Sequence, residues 1–176
     1  MTKPLGDVVK RGQLYTAILQ ECVPAGYDPL IPLAQAALEC SHFRKVIGLN
    51  NYWGIKVPKR TKWTGKVLRR WTSEQFEKLH DAQEYAKRHD DATVTFKDGI
   101  YIVRLPDDFC DWERERLALG YWMGLIERVY PQCLPYKQMP EDFYYGLISG
   151  KSKYATDLIY NIKCMKVYRN YEALEL

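Results

Sequence analysis

Residues 30 to 39, "LIPLAQAALE", constrain this chain more than any other stretch. Projected at about 100° per residue, Leu30, Leu33, Ala34, Ala37 and Leu38 form one apolar stripe, and Ile31, Ala36 and Cys40 widen it to both flanks. Only Gln35 and Glu39, four residues apart, share the remaining strip. A helix apolar nearly all round is normally buried, so other elements have to wrap it. A lone carboxylate on such a helix would face low-dielectric walls that raise its pKa and keep it protonated near neutrality, a state suited to general-acid catalysis. The alternative is that Gln35 and Glu39 are the solvent stripe of a core helix, and the pattern alone does not choose.

The elements available for wrapping are mostly helical. Apolar spacing of helical period predicts helices over about 7–23, 30–43, 73–89, 107–130, 140–149 and 156–171. The exception is "ATVTFKDGIYIVRL", where β-branched and aromatic residues alternate on both sides of Asp98-Gly99, a strong hairpin signal. Residues 57–72 are also non-helical. The expected fold class is therefore predominantly α (α+β), a helical body with a small β-hairpin lobe at 57–106 that carries an inserted helix. No repeat, low-complexity tract or linker divides residues 1–176, which read as a single domain. With 176 residues, 47% of them hydrophobic, a well-buried core is affordable, and fourteen Tyr and five Trp suit either that core or a groove that stacks on sugars.

Composition also excludes classes. The net charge of +4 is mild, and the cations look too scattered for the basic stripe that nucleic-acid binding usually needs. The amino-terminal "MTKPLGDVVKRGQLY" lacks the apolar run of a secretory signal, and no stretch reaches membrane-span length. Cys22, Cys40, Cys110, Cys133 and Cys164 are odd in number, widely spaced and without a CxxC pair, which predicts reduced, partly buried thiols. His42, His80 and His89 form no helical metal-binding pair, so no metal site and no cofactor are expected.

Three ordered motifs add a resemblance. "AQAALE", then "NNYWGIK", then "YATDLIYNIKCMKVY" resemble the bacterial and phage endo-β-N-acetylglucosaminidase family of peptidoglycan hydrolases, which includes flagellar rod-cap and autolysin domains. The match runs in order over residues 33–171. Cys40-Ser41-His42-Phe43 stands where the family usually has Ser-Gly-Trp-Gly, the link from Glu39 to Asn50 is about two residues short, and Leu158 occupies a position where Pro is common. The resemblance implies a lysozyme-like fold, a peptidoglycan glycan strand as substrate, and Glu39 as the acid that protonates the departing glycosidic oxygen.

A second carboxylate is then needed on the other face of the sugar, to attack or to activate water. In the family it follows Thr in the β-lobe, which points to Glu74 in "WTSEQF", 35 residues after Glu39. The competing account makes Thr72, Ser73 and Glu74 a helix cap for the segment starting near 73. Asp107, Asp108 and Asp111 are rivals better explained as helix-start residues after Pro106. By the same resemblance Tyr154 is an active-site tyrosine, while Asp157 is expected to cap the last helix. Asn50 to Gly54 read either as a plain turn, since Asn tolerates left-handed backbone, or as a turn in which Asn50 and Asn51 also offer amides to N-acetyl or hydroxyl groups; the favoured mixture makes Asn51 structural. Tyr52 or Trp53 would give the pyranose an aromatic face, and Trp63 and Trp71 either stack on sugars or form the small lobe's own core. The expected protein is thus a monomeric glycoside hydrolase of the endo-β-N-acetylglucosaminidase kind, made in the cytoplasm and reaching the wall or periplasm by holin-type release, as a phage endolysin does, or by specialised export. The alternatives are a muramidase or lytic transglycosylase, and a non-catalytic glycan-binding or phage-tail module.

Overall fold

The computed structural model describes residues 5–59, 62–155, 157 and 159–174; Thr156 and Leu158 of the last motif, and the first four residues of the amino-terminal stretch, lie outside them. The chain divides into two compact units, Met1–Ile55 with Asp111–Leu176, and Lys56–Cys110.

The first unit holds α1 (Leu5–Glu21), α2 (Leu30–Glu39), α4 (Glu115–Val129), a 3₁₀ turn (Pro131–Tyr136), α5 (Pro140–Ser149) and α6 (Tyr160–Glu172). Helix α2 is the buried one, enclosed from Leu30 through Ala37. Its start is fixed by Asp28, whose carboxylate accepts the Leu30 amide at 2.8 Å and the Tyr168 hydroxyl at 2.6 Å. Pro32 fits in the first turn because an amide there would have no helical partner anyway. Helix α6 packs along α2 and α5, and α1 packs on α4. The buried residues of α6, namely Tyr160, Cys164, Val167, Tyr168 and Tyr171, recur at the helical spacing that one apolar face requires. Trp122 of α4 anchors the centre, stacked on Trp53 at 5.6 Å and tilted against Tyr27 and Phe143. All five cysteines are free thiols inside the protein.

The second unit is a three-stranded sheet in the order β1 (Lys66–Phe76), β3 (Ile100–Asp111, whose last residue belongs to the first unit), β2 (Thr93–Lys97), with α3 (Leu79–Ala86) on one face. The hairpin forms as the sequence predicts: β2 and β3 pair antiparallel from Thr93↔Arg104 to Lys97↔Ile100, and Asp98 and Gly99 turn with φ of 52° and 83°. Ala82 of α3 meets Val103 and Leu105, with Phe76, Tyr85, Val94 and Tyr101 packed around them.

Two predicted helices are corrected. The segment read as a helix over 73–89 is strand β1 as far as Phe76, and only Leu79–Ala86 is helical. Pairing with β3 overrides the helical spacing because it places Phe76 on the small core. The helix predicted from 107 starts at Glu115, and residues 107–111 end β3. Pro106 is tolerated within β3 because β2's pairing ends at Arg104 and leaves that side of β3 without the ladder a proline would break.

Helix α2 also stops sooner than predicted, at Glu39 rather than 43. Ser41, His42 and Phe43 follow in the left-handed region, with φ of 52°, 56° and 67°. The turn is closed by the His42 amide on the Ala37 carbonyl at 2.6 Å and the Lys45 amide on the Cys40 carbonyl at 2.9 Å. Left-handed backbone costs a non-glycine residue roughly 1–2 kcal/mol. Ser41 and Phe43 stand where the resembled pattern has glycine. Exchanging the exposed Ser41 for Gly is expected to stabilise the fold by roughly 0.5–1 kcal/mol, net of glycine's larger unfolded-state entropy. A denaturation midpoint that stays put or falls would contradict a strained Ser41.

Candidate active site

The two polar residues of α2 have separate fates. Gln35 is fully buried, and Glu39, one turn later, emerges into solvent at the helix end. The solvent-stripe alternative therefore fails for Gln35. A chain of hydrogen bonds joins the two residues through α6 and extends from Gln35 to α4. Trp122 Nε1 donates to Gln35 Oε1 at 3.1 Å, Gln35 Nε2 donates to the Tyr160 oxygen at 3.1 Å, and the Tyr160 hydroxyl donates to Glu39 Oε1 at 2.5 Å. Gln35 has both ends of its amide occupied, so its orientation is fixed, and with it that of the Tyr160 phenol.

Glu39 has a pKa raised above the ordinary glutamate value, because surrounding protein atoms displace water from its carboxyl by more than the Tyr160 hydrogen bond compensates. Its place at the carboxyl end of α2, where the helix dipole is negative, works in the same direction. The expectation of a walled-in carboxylate is thus half met: the pKa is raised, but the side chain remains open to solvent.

Tyr154 joins this group. Its ring stacks on Tyr160 at 5.8 Å and tilts against Tyr130 at 5.6 Å, and its hydroxyl donates to the Trp53 carbonyl at 2.8 Å. Burial, and next the charge of Glu39, push the phenols of Tyr154 and Tyr160 well above the ordinary tyrosine value, so both remain protonated donors. Tyr160 was not singled out from the sequence. It lies within the third motif, six residues after Tyr154, and only the packing of α6 on α2 turns it toward Glu39.

The Asn-Asn-aromatic turn is corrected. Asn50, Asn51, Tyr52 and Trp53 are all buried. Asn50 donates to the Trp112 carbonyl and accepts the Tyr52 hydroxyl; Asn51 accepts the Ile55 amide and donates to the Ile55 carbonyl. Trp53 donates its indole N–H to the Pro32 carbonyl. These groups are occupied by the protein and offer neither free amides nor an open aromatic face to a sugar. Their work is to fix the chain after Glu39, and Asp111 completes it by accepting the amides of Leu49 and Asn50 at 2.9 and 3.2 Å. Asp111 is therefore a buried turn anchor and not a helix-start residue. Asp157 accepts the Ile159 amide at 3.0 Å and pairs with Lys163 at the entry to α6.

Within the second unit, Glu74 lies half-buried on strand β1, so the helix-cap account of it does not hold; the acidic residue in the first turn of α3 is Asp81. It shares its strand face with Thr72 and Phe76. Asp107 pairs with Lys56 at 2.7 Å. Burial lowers the Lys56 pKa, but the Asp107 hydrogen bond and charge, with Tyr85 and Glu74 adding to them, carry it upward. Burial, then Glu74, raises Tyr85. Glu74 thus stands in a charged group with Lys56, Asp107 and Tyr85. Trp63 is half-buried and donates to the Lys66 carbonyl. Trp71 is 58% exposed, which removes it from the lobe's core.

No protein-family model matches the sequence, and no curated protein sequence does. Solved structures do. A peptidoglycan hydrolase mutant from Sphingomonas sp. A1 superposes with a TM-score of 0.66 at 20% identity, over 96% of this chain and 99% of that one. The catalytic domain of the autolysin Auto from Listeria monocytogenes gives 0.65 at 17%, over 99% and 89%. A C-terminally truncated glycoside hydrolase domain of Salmonella typhimurium FlgJ gives 0.62 at 19%, over 95% and 98%. The chain has the fold of these domains. The agreement covers nearly the full length of both partners.

The Tyr160 contact makes a measurable forecast. Its hydroxyl stabilises the charged form of Glu39, so Tyr160→Phe is expected to raise the Glu39 pKa further. Carboxyl ¹³C shifts across a pH titration read this directly, and an unchanged or lowered pKa would show that the hydroxyl does not act on Glu39.

Proposed function

We propose that this protein is a peptidoglycan hydrolase that cuts the glycan strand at N-acetylglucosaminyl bonds, with Glu39 as general acid and Glu74 as the second carboxylate. The observation that carries the reading is a solvent-reachable glutamate with a raised pKa, oriented by a buried tyrosine, within this fold. Protonated Glu39 gives its proton to the oxygen of the leaving sugar as the glycosidic bond breaks and positive charge develops on the ring. The Tyr160 hydroxyl, already donating to Glu39, gains strength as that carboxylate becomes charged. This is the sense required of a group that favours the transition state over the ground state. Glu74 either attacks the anomeric carbon or activates water. Tyr154, held by the Trp53 carbonyl, orients the substrate N-acetyl group or a water.

The choice of bond rests on the three-motif resemblance; the glycoside hydrolase domain among the structural neighbours supports glycan cleavage and does not select the bond. The buried Asn50–Trp53 turn no longer argues for it, since those amides are occupied. That specific observation keeps the muramidase and transglycosylase readings in play, and the products separate all three. Digested walls reduced with borohydride and hydrolysed are expected to yield glucosaminitol. Predominant muramicitol would make the protein a muramidase, and anhydro-muramic ends a transglycosylase that needs no second carboxylate.

Glu39→Gln is expected to lower wall lysis by ~10²-fold or more, the scale of a lost general acid, while circular dichroism remains native because Gln is nearly isosteric. A folded Glu39→Gln variant that lyses walls near normally would end the assignment.

A further inference from the structure

The sheet of the second unit has two unlike faces. Helix α3 covers one, over Phe76, Val94, Val103 and Leu105. Alternation along the strands turns Arg69 and Trp71 of β1, Ile102 and Arg104 of β3, and Thr93 and Thr95 of β2 to the other. That face is uncovered: Trp71 is 58% exposed, and both Arg69 and Arg104 are exposed. The Arg104 guanidinium lies 5.9 Å from the Trp71 ring centroid, and Arg69 reaches the exposed Asp91 only at 3.9 Å. The modest net charge of the whole chain conceals how lopsided this region is. Residues 56–72 hold seven Lys and Arg and no Asp or Glu. An exposed tryptophan flanked by exposed arginines on one sheet face matches a ligand with pyranose faces and regularly placed anions.

We propose that this sheet face binds the glycan strand through its peptide substituents, Trp71 stacking on a sugar while Arg69 and Arg104 pair with stem-peptide carboxylates. The proposal rests on the reading that the substrate is peptidoglycan, whose glycan carries carboxylate-bearing peptides at regular intervals. It makes the peptide-substituted strand, and not bare glycan, the preferred ligand.

Co-sedimentation tests it, with full-length Glu39→Gln protein as a non-cutting probe, purified sacculi, and the same sacculi stripped of their peptides by an amidase. On peptide-bearing walls at low salt, Arg69→Gln with Arg104→Gln is expected to weaken binding about fivefold or more, the scale of two exposed charge pairs, and added salt should erase the difference. On stripped glycan the arginine exchanges should matter little, whereas Trp71→Ala should weaken binding to both. Native circular dichroism of each variant checks folding. Equal binding of the arginine variant and its parent to peptide-bearing walls would overturn the proposal. So would polyphosphate or DNA displacing the parent at concentrations where free stem peptide does not, because the face would then be a general polyanion surface. The unmodified chain, assayed for reducing ends on the same walls, separates the two readings: no release would sink the hydrolase assignment, while an arginine-dependent loss of wall binding would still support the sheet face.

Discussion

Everything at the candidate site depends on helix α2 having no free side. Apolar residues close it on nearly every flank, so Gln35 has to bury its amide, and a buried amide has to be satisfied. Trp122 and Tyr160 satisfy it from α4 and α6. Once Tyr160 is held by Gln35, its hydroxyl has one remaining proton to place, and Glu39 takes it. The acid is thus positioned by the same burial that stabilises the fold. A change at Gln35 would reach Glu39 through two hydrogen bonds, and one at Trp122 through three.

The segment after Glu39 shows a second constraint. The helix ends at once in three left-handed residues, and the following turn is fixed by Asn50, Asn51 and Asp111 on backbone groups. Strain of this kind persists only where the surroundings over-determine it. Here the surroundings include Phe43 and Tyr52 packed edge to face and Trp53 stacked on Trp122. The side chains that look most like ligand-binding groups in the sequence are the ones that hold this turn. In consequence the carboxylate stands at the open end of a fixed segment, where solvent exposure and a set orientation coexist.

How much of this was legible follows from which interactions are local. The buried helix, the Asp98-Gly99 hairpin and the mostly helical class came from periodicity and turn chemistry, which neighbouring residues determine. Strand β1 was misread because Thr72-Ser73-Glu74 carries a plausible cap, and only pairing with β3 cancels it. Asp107 and Asp111 were misplaced for a similar reason, since Pro106 reads as a helix start unless it is known that β2's pairing with β3 ends at Thr93↔Arg104. Glu39 stands out as a candidate because its helix is locally unusual. Tyr160 was missed because its partner lies 121 residues away and nothing near it in sequence marks it. The turn at Asn50 was misjudged because exposure is a tertiary property: Asn and Trp look alike in sequence whether they face a sugar or a carbonyl.

The central claim is that Glu39 acts as a proton donor because its pKa is raised. The most direct measurement is the pH dependence of kcat/KM on a soluble peptidoglycan fragment. A donor has to be protonated, so activity is predicted to fall as pH rises through the Glu39 pKa, with that alkaline limb lying above the ordinary glutamate range, where burial puts it. Tyr160→Phe, by raising the same pKa, should carry the limb to higher pH. An alkaline limb at the ordinary glutamate pKa, or one that Tyr160→Phe leaves in place, would contradict the account.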